Sequence, residues 1–164
     1  MSKTNKTNEN YIGLEKDKIE EVAKSLNSYL ADLNLLYVKI HNLHWNIEGS
    51  TFFQLHSVFE GYYEAIAKTL DEVAERMLIL GHRPAASMKE YLDLSTLKEL
   101  ESKGLSAQES INILESDFLN MLSQSRSILT LAEDANDQGT VDLMAGLIGE
   151  YEKSLWMIKS FKTK

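Results

Sequence analysis

Residues Leu55 to Leu80 read LHSVFEGYYEAIAKTLDEVAERMLIL, an unbroken helical pattern. The stretch has no Pro and one Gly, and Leu55, Val58, Phe59, Tyr62, Ile66, Leu70, Val73 and Met77 recur at the three- and four-residue steps of one apolar helix face. His56 and Glu60 stand one turn apart on that helix, as do Asp71 and Glu75. With His44 just upstream, the stretch His41 to Arg76 sets two histidines, His44 and His56, and three carboxylates, Glu60, Asp71 and Glu75, at spacings that place them on helix faces. Imidazole nitrogen mixed with carboxylate oxygen is a donor set that a redox-active first-row metal such as iron accepts.

The same helix poses a distance problem. Glu60 and Asp71 are eleven residues apart, which at about 1.5 Å per residue separates them by roughly 16 Å along the axis. Bonds from a metal to its ligands are only about 2 Å long. One ion therefore cannot touch both pairs on one straight helix. Either the pairs are unrelated half-sites, or a second copy runs antiparallel and sets its Asp71 and Glu75 beside His56 and Glu60. A two-fold dimer does the latter, because an isologous contact places i against j and j against i, giving two identical sites.

Around this helix the pattern predicts three more long ones. The first runs from about Leu14 to Ile47, with Ile19, Val22, Leu26, Leu30, Leu33, Tyr37 and Ile40 on one stripe. Gly49 ends it, and Ser50 or Thr51 caps the second, which stops at Gly81 with Pro84 beyond. A short helix is expected around Met88 to Leu92 within a crossover. Ser106-Ala-Gln-Glu109 is a capping box opening a third long helix over about 107–134. A polar turn from Asp134 to Gly139 leads to a fourth, capped by Thr140 and ending near Phe161. Two long helices, an extended connection, then two more is the order of an all-α, ferritin-like four-helix bundle with one crossover. No Glu is followed by His three residues later, so the Glu-x-x-His pairs that build a di-iron site inside such a bundle are missing.

Composition fits one compact domain over residues 14–164, preceded by a polar, flexible tail over 1–13. Hydrophobic residues make up 43% and there is a single Pro. No Cys is present, which rules out disulfides and thiolate clusters and fits a reducing compartment. No run approaches a membrane span and the start has no apolar core of a signal peptide, so the expected location is the cytoplasm. The net charge of −8 repels polyanions and attracts cations. Nucleic-acid binding by the main surface is disfavoured, since it rests on Lys and Arg neutralising phosphates. The local exception is the tail, where Lys3 and Lys6 stand without an acid among the first eight residues.

The string His44-Trp45-Asn46, Gly49, Phe53, Leu55-His56, Phe59-Glu60, Tyr63, Asp71-Glu72, Ala74-Glu75-Arg76 resembles the signature of the Dps family, the starvation-induced mini-ferritins. The resemblance runs from Asn10-Tyr11-Ile12-Gly13-Leu14 to Trp156. It implies a four-helix bundle with a short helix between the second and third, and twelve subunits forming a hollow shell of tetrahedral symmetry. It also implies ferroxidase sites at two-fold interfaces, where His44, His56 and Glu60 face Asp71 and Glu75 of the neighbouring subunit. Glu60 departs from the pattern, the family usually having Asp there. Further implications are that Fe(II) is oxidised, preferably by hydrogen peroxide, that Fe(III) mineral is stored inside, and that Trp45 gives up an electron when a radical forms.

Other residues have two readings each. His41, one turn before His44, either supports the ligands from behind or packs at an interface. His82 reads as a surface residue. Asp134, Asp137 and Asp142 flank the last turn and serve as caps and turn residues; the resemblance makes Asp137 and Asp142 candidates for a three-fold pore that draws iron inward. Three functions compete: an iron oxidase and store, a DNA-compacting protein whose multiple Lys tails act by avidity, and a purely structural bundle.

Overall fold

The computed structural model describes residues 8–163. Among them the chain forms five helices, α1 (Lys16–Asn46), α2 (Phe52–Ile79), α3 (Met88–Leu94), α4 (Ala107–Asp134) and α5 (Gln138–Lys162). α1 packs along α2 and against α4, α4 packs along α5, and α3 lies on α1. Short connections make two helical hairpins, and the long segment carrying α3 joins them, which is the ferritin-like arrangement expected from the sequence. No helix among the described residues is long and apolar enough to cross a membrane.

Local chemistry sets where the helices stop. α2 ends in a Schellman turn: Gly81 takes φ 91°, its N–H donates to the Leu78 carbonyl at 3.0 Å, and the His82 N–H donates to the Met77 carbonyl at 2.9 Å. The capping box at α4 is formed, Glu109 N–H donating to Ser106 Oγ at 3.3 Å and Ser106 N–H to Glu109 Oε2 at 3.0 Å. α5 begins earlier than expected. Its cap is Asp137, whose carboxylate accepts the Thr140 N–H at 3.1 Å, so Thr140 already lies inside the first turn. Asp outranks Thr as an N-cap, and Asn136 at φ 56° makes the tight turn that delivers it.

The core runs the length of α1, where Ile19, Val22, Leu26, Leu33, Leu36 and Ile40 meet Phe59, Val73 and Met77 of α2 and Leu114, Phe118 and Met121 of α4. Two buried carboxylates add specific contacts. Asp32 accepts from Ser95 Oγ, Thr96 N and Oγ1, Leu97 N and Gln124 Nε2 within 2.9 Å, pinning the crossover to α1 and α4. Asp117 of α4 pairs with Lys39 of α1 at 2.6 Å.

At the N-terminus the described chain departs from the expected tail boundary. Asn8 accepts the Lys16 N–H at 2.8 Å, Asn10 donates to the Leu80 carbonyl at 3.4 Å, and the Tyr11 hydroxyl donates to the Ile79 carbonyl at 2.7 Å. Asn10 Oδ1 also accepts the Ile12 and Leu14 N–H groups, a local turn that folds 8–14 back on the end of α2. Lys3 and Lys6 lie outside the described residues.

Candidate metal centre

The α1/α2 hairpin brings the end of α1 against the start of α2, and with it His44 against His56. His44 donates its Nδ1–H to the His56 carbonyl at 2.7 Å, and His56 donates its Nδ1–H to the His44 carbonyl at 2.8 Å. A carbonyl can only accept, so both rings carry their proton on Nδ1 and leave Nε2 as the nitrogen whose lone pair can meet a metal. The rings stack with centroids 3.7 Å apart and an interplanar angle of 19°. This is the orienting hydrogen bond that metal-ligating imidazoles generally have. Glu60, one turn beyond His56, is exposed, and its Oε1 lies 3.5 Å from the Tyr63 hydroxyl.

Aromatic rings back the pair. Tyr63 stacks on His41 at 3.9 Å and meets His44 edge-on at 5.3 Å. His41 donates Nδ1–H to the Tyr37 carbonyl at 2.9 Å, and Tyr37 packs edge-on against it at 4.5 Å. The Trp45 ring pairs with His41, 5.1 Å away between centroids, and the residue is 68% exposed. Desolvation, with Glu60 next in size, holds the Tyr63 phenol above its usual range. Tyr63 belongs to the quoted signature, yet sequence reading gave it no part at the site. A tyrosine at i+3 from Glu60 and i+7 from His56 was the available signal.

Asp71 and Glu75 are exposed on the same helix, toward its other end. The structure thus brings His44 and His56 together, sets Glu60 one turn beyond His56 on α2, and leaves Asp71 and Glu75 toward the other end of that helix. Among the described residues no three His, Asp or Glu side chains converge on one point within a single chain.

Of the two pore candidates, one is corrected. Asp137 is 1% exposed, and its carboxylate is consumed by the cap of α5, by Thr140 Oγ1 at 2.5 Å and by an ion pair with Arg76. A carboxylate so engaged offers no oxygen to a passing cation. Arg76 reaches it across Gly139, where any Cβ would sit 2.6 Å from the guanidinium. Asp142 and Asp134 are exposed. His82 is half-buried beside Glu20, Lys24 and Arg83, away from the ligand set.

Comparison with known proteins agrees with this fold. The sequence profile of the Ferritin family, described as a ferritin-like domain, matches residues 23–164. The chain is 37% identical to DNA protection during starvation protein 2 of Bacillus anthracis, over 87% of this chain and 97% of that one. It is also 37% identical to the DNA protection during starvation protein of Porphyromonas gingivalis, over 93% and 95%. Among solved structures, the Dps protein of Vibrio cholerae O1, described as a member of a broad superfamily of ferritin-like diiron-carboxylate proteins, superposes with a TM-score of 0.91 at 36% identity. That match covers 98% of this chain and all of the other. The Dps protein of Bacillus brevis gives 0.86 at 33%, covering 90% and 98%.

Proposed function

The chain belongs to the Dps family of ferritin-like proteins, and from that membership we propose that it is a ferroxidase and iron store. Its substrates are Fe(II) and hydrogen peroxide, its sites lie between subunits, and twelve copies enclose the Fe(III) mineral. The observation that carries this reading is the reciprocal His44/His56 pair, two imidazoles each locked through Nδ1 with Nε2 left free, and Glu60 one helical turn beyond His56. Asp71 and Glu75 of the partner subunit complete the donor set.

Each donor type has a task. Imidazoles retain affinity for Fe(II), while hard carboxylates favour Fe(III), so a mixed shell holds the ion through its change of charge. Few protein ligands leave positions open for peroxide and water. Two Fe(II) ions each give one electron, and peroxide with two protons leaves as two waters. Removing iron and peroxide together prevents hydroxyl radical formation. Protection of DNA then follows from that chemistry, and the net charge of −8 makes compaction of DNA by the folded body the lesser reading.

Subunit mixing tests the shared site. His56→Ala and Asp71→Ala shells should each oxidise Fe(II) poorly. When the two are dissociated together and reassembled, half the dimers are mixed and each mixed dimer holds one intact site. Activity should therefore return to about a quarter of the parent value. No recovery from fully reassembled, mixed shells would exclude a site made by two subunits.

A further inference from the structure

Trp45 follows His44 in the chain, but one residue along a helix turns the side chain by about 100°, and the indole lies beyond His41. Two aromatic rings lie against the histidine pair, Phe52 stacked on His56 at 5.0 Å and Tyr63, and of the two only Tyr63 carries a phenolic hydrogen to give up. Its edge meets His44 at 5.3 Å, its face is covered by His41 at 3.9 Å, and its hydroxyl is 3.5 Å from the Glu60 carboxylate. Tyr37 is a further 6.2 Å away from Tyr63, ring to ring. Among the described residues of one subunit, Tyr63 is therefore the phenol next to the His44/His56 pair, with Tyr37 one ring further out.

Resting on the ferroxidase reading above, we propose that Tyr63 is the one-electron donor of this centre, surrendering a hydrogen atom when a lone Fe(II) reduces peroxide. A single Fe(II) supplies only one of the two electrons peroxide needs. The products are then Fe(III), hydroxide and a hydroxyl radical. At Tyr63 the phenolic O–H bond breaks and a water O–H bond forms, so one electron and one proton leave the phenol together. The products are water and a phenoxyl radical. A hydroxyl radical attacks what lies close by, and of the two rings on the pair only the Tyr63 phenol has an O–H hydrogen to give. The Tyr63 ring is held between His41 and His44 and is in place before the radical forms. Trp45, reached through the Tyr63–His41–Trp45 stack, is the next donor out and the one that faces solvent.

Freeze-quench electron paramagnetic resonance of the assembled protein tests this, using hydrogen peroxide in excess over less than one Fe(II) per site. The expected result is a tyrosyl radical that narrows when the protein carries ring-deuterated tyrosine, survives Tyr37→Phe and is lost in Tyr63→Phe. Tyr63→Phe keeps the ring and its stack, and size exclusion checks that the shell is retained. Peptide mass spectrometry of that variant should show more oxidised Trp45 than the parent. A tyrosyl signal that persists in Tyr63→Phe, or a parent that oxidises Fe(II) with peroxide and forms no tyrosyl radical, overturns the proposal while leaving the ferroxidase reading standing. A parent that consumes no Fe(II) at all brings down both.

Discussion

Glu60 is the proposed ligand for which the family resemblance leads one to expect Asp, and its surroundings say how much latitude it has. Its side chain is exposed, and among the described residues its one hydrogen-bond contact is the Tyr63 hydroxyl at the long distance of 3.5 Å. No packing fixes its rotamer, so the extra methylene relative to Asp can fold back and still present an oxygen to an ion held by His44 and His56. The charge, by contrast, has no substitute on this side of the site. Glu60→Asp should therefore keep peroxide-driven Fe(II) oxidation within about tenfold of the parent, as expected of a small displacement. Glu60→Gln, which keeps the length and loses the charge, should fall by about a hundredfold, roughly 2.7 kcal/mol of barrier. Stopped-flow absorbance of ferric iron reads both. Equal losses in the two variants would mean that length matters here as much as charge.

The ion pair between α1 and α4 is the element contact with the most to lose. Burial raises the Asp117 carboxyl above its usual range, and the Lys39 ammonium at 2.6 Å pulls it back only in part. An acid whose folded pKa lies above its unfolded one contributes its stability at low pH and loses it as pH rises through the folded value. Lys39→Met removes the partner that limits this loss. It should cost about 3 kcal/mol near neutral pH, the usual penalty for stranding a buried charge. The cost should shrink on acidification as Asp117 takes up a proton, and Lys39→Met/Asp117→Leu should recover most of it, both read by denaturant unfolding. Neither this pair nor the Asp32 anchor has a local signature, because the partners of Asp32 lie 63 to 92 residues away in sequence, on the crossover and α4, and Lys39 and Asp117 lie on different helices. The helices themselves were legible, since apolar period, Gly81 and the Ser106/Glu109 box are local signals. Asp137 shows the limit: its rank as a cap could be read from residue type, but its ion pair with Arg76 depends on two hairpins meeting. At the candidate metal centre the His and carboxylate residues were readable by type and spacing for the same local reason, whereas the His44/His56 stack and the place of Tyr63 required the hairpin geometry.

For the whole molecule, the outer face of α2 carries the consequence. Phe53, Glu60, Glu64, Lys68, Asp71, Glu75 and Leu78 are all exposed and recur every three, four or seven residues, a single stripe along the helix. Phe53 is 85% exposed and Leu78 53%, an unusual waste of apolar area at the two ends of one stripe in an isolated subunit. An antiparallel two-fold pairing that sets Glu60 against Asp71 of the partner subunit and His56 against Glu75 of the partner subunit has its centre between Ala65 and Ile66. The same register places Phe53 on Leu78 of the partner subunit, and Glu64 close to Lys68 of the partner subunit. One symmetry operation thus satisfies the ligands, covers the apolar ends and joins opposite charges in the middle. The central pair gives a test that leaves the ligands untouched. Glu64→Lys alone sets like charges across the two-fold axis and should weaken assembly, seen as smaller species in sedimentation velocity at low salt. Adding Lys68→Glu reverses both charges, restores the complementarity and should return the parent size distribution and, with it, Fe(II) oxidation. If Glu64→Lys assembles as the parent does at every salt concentration, the two helices do not meet in this register and the shared site must be built another way.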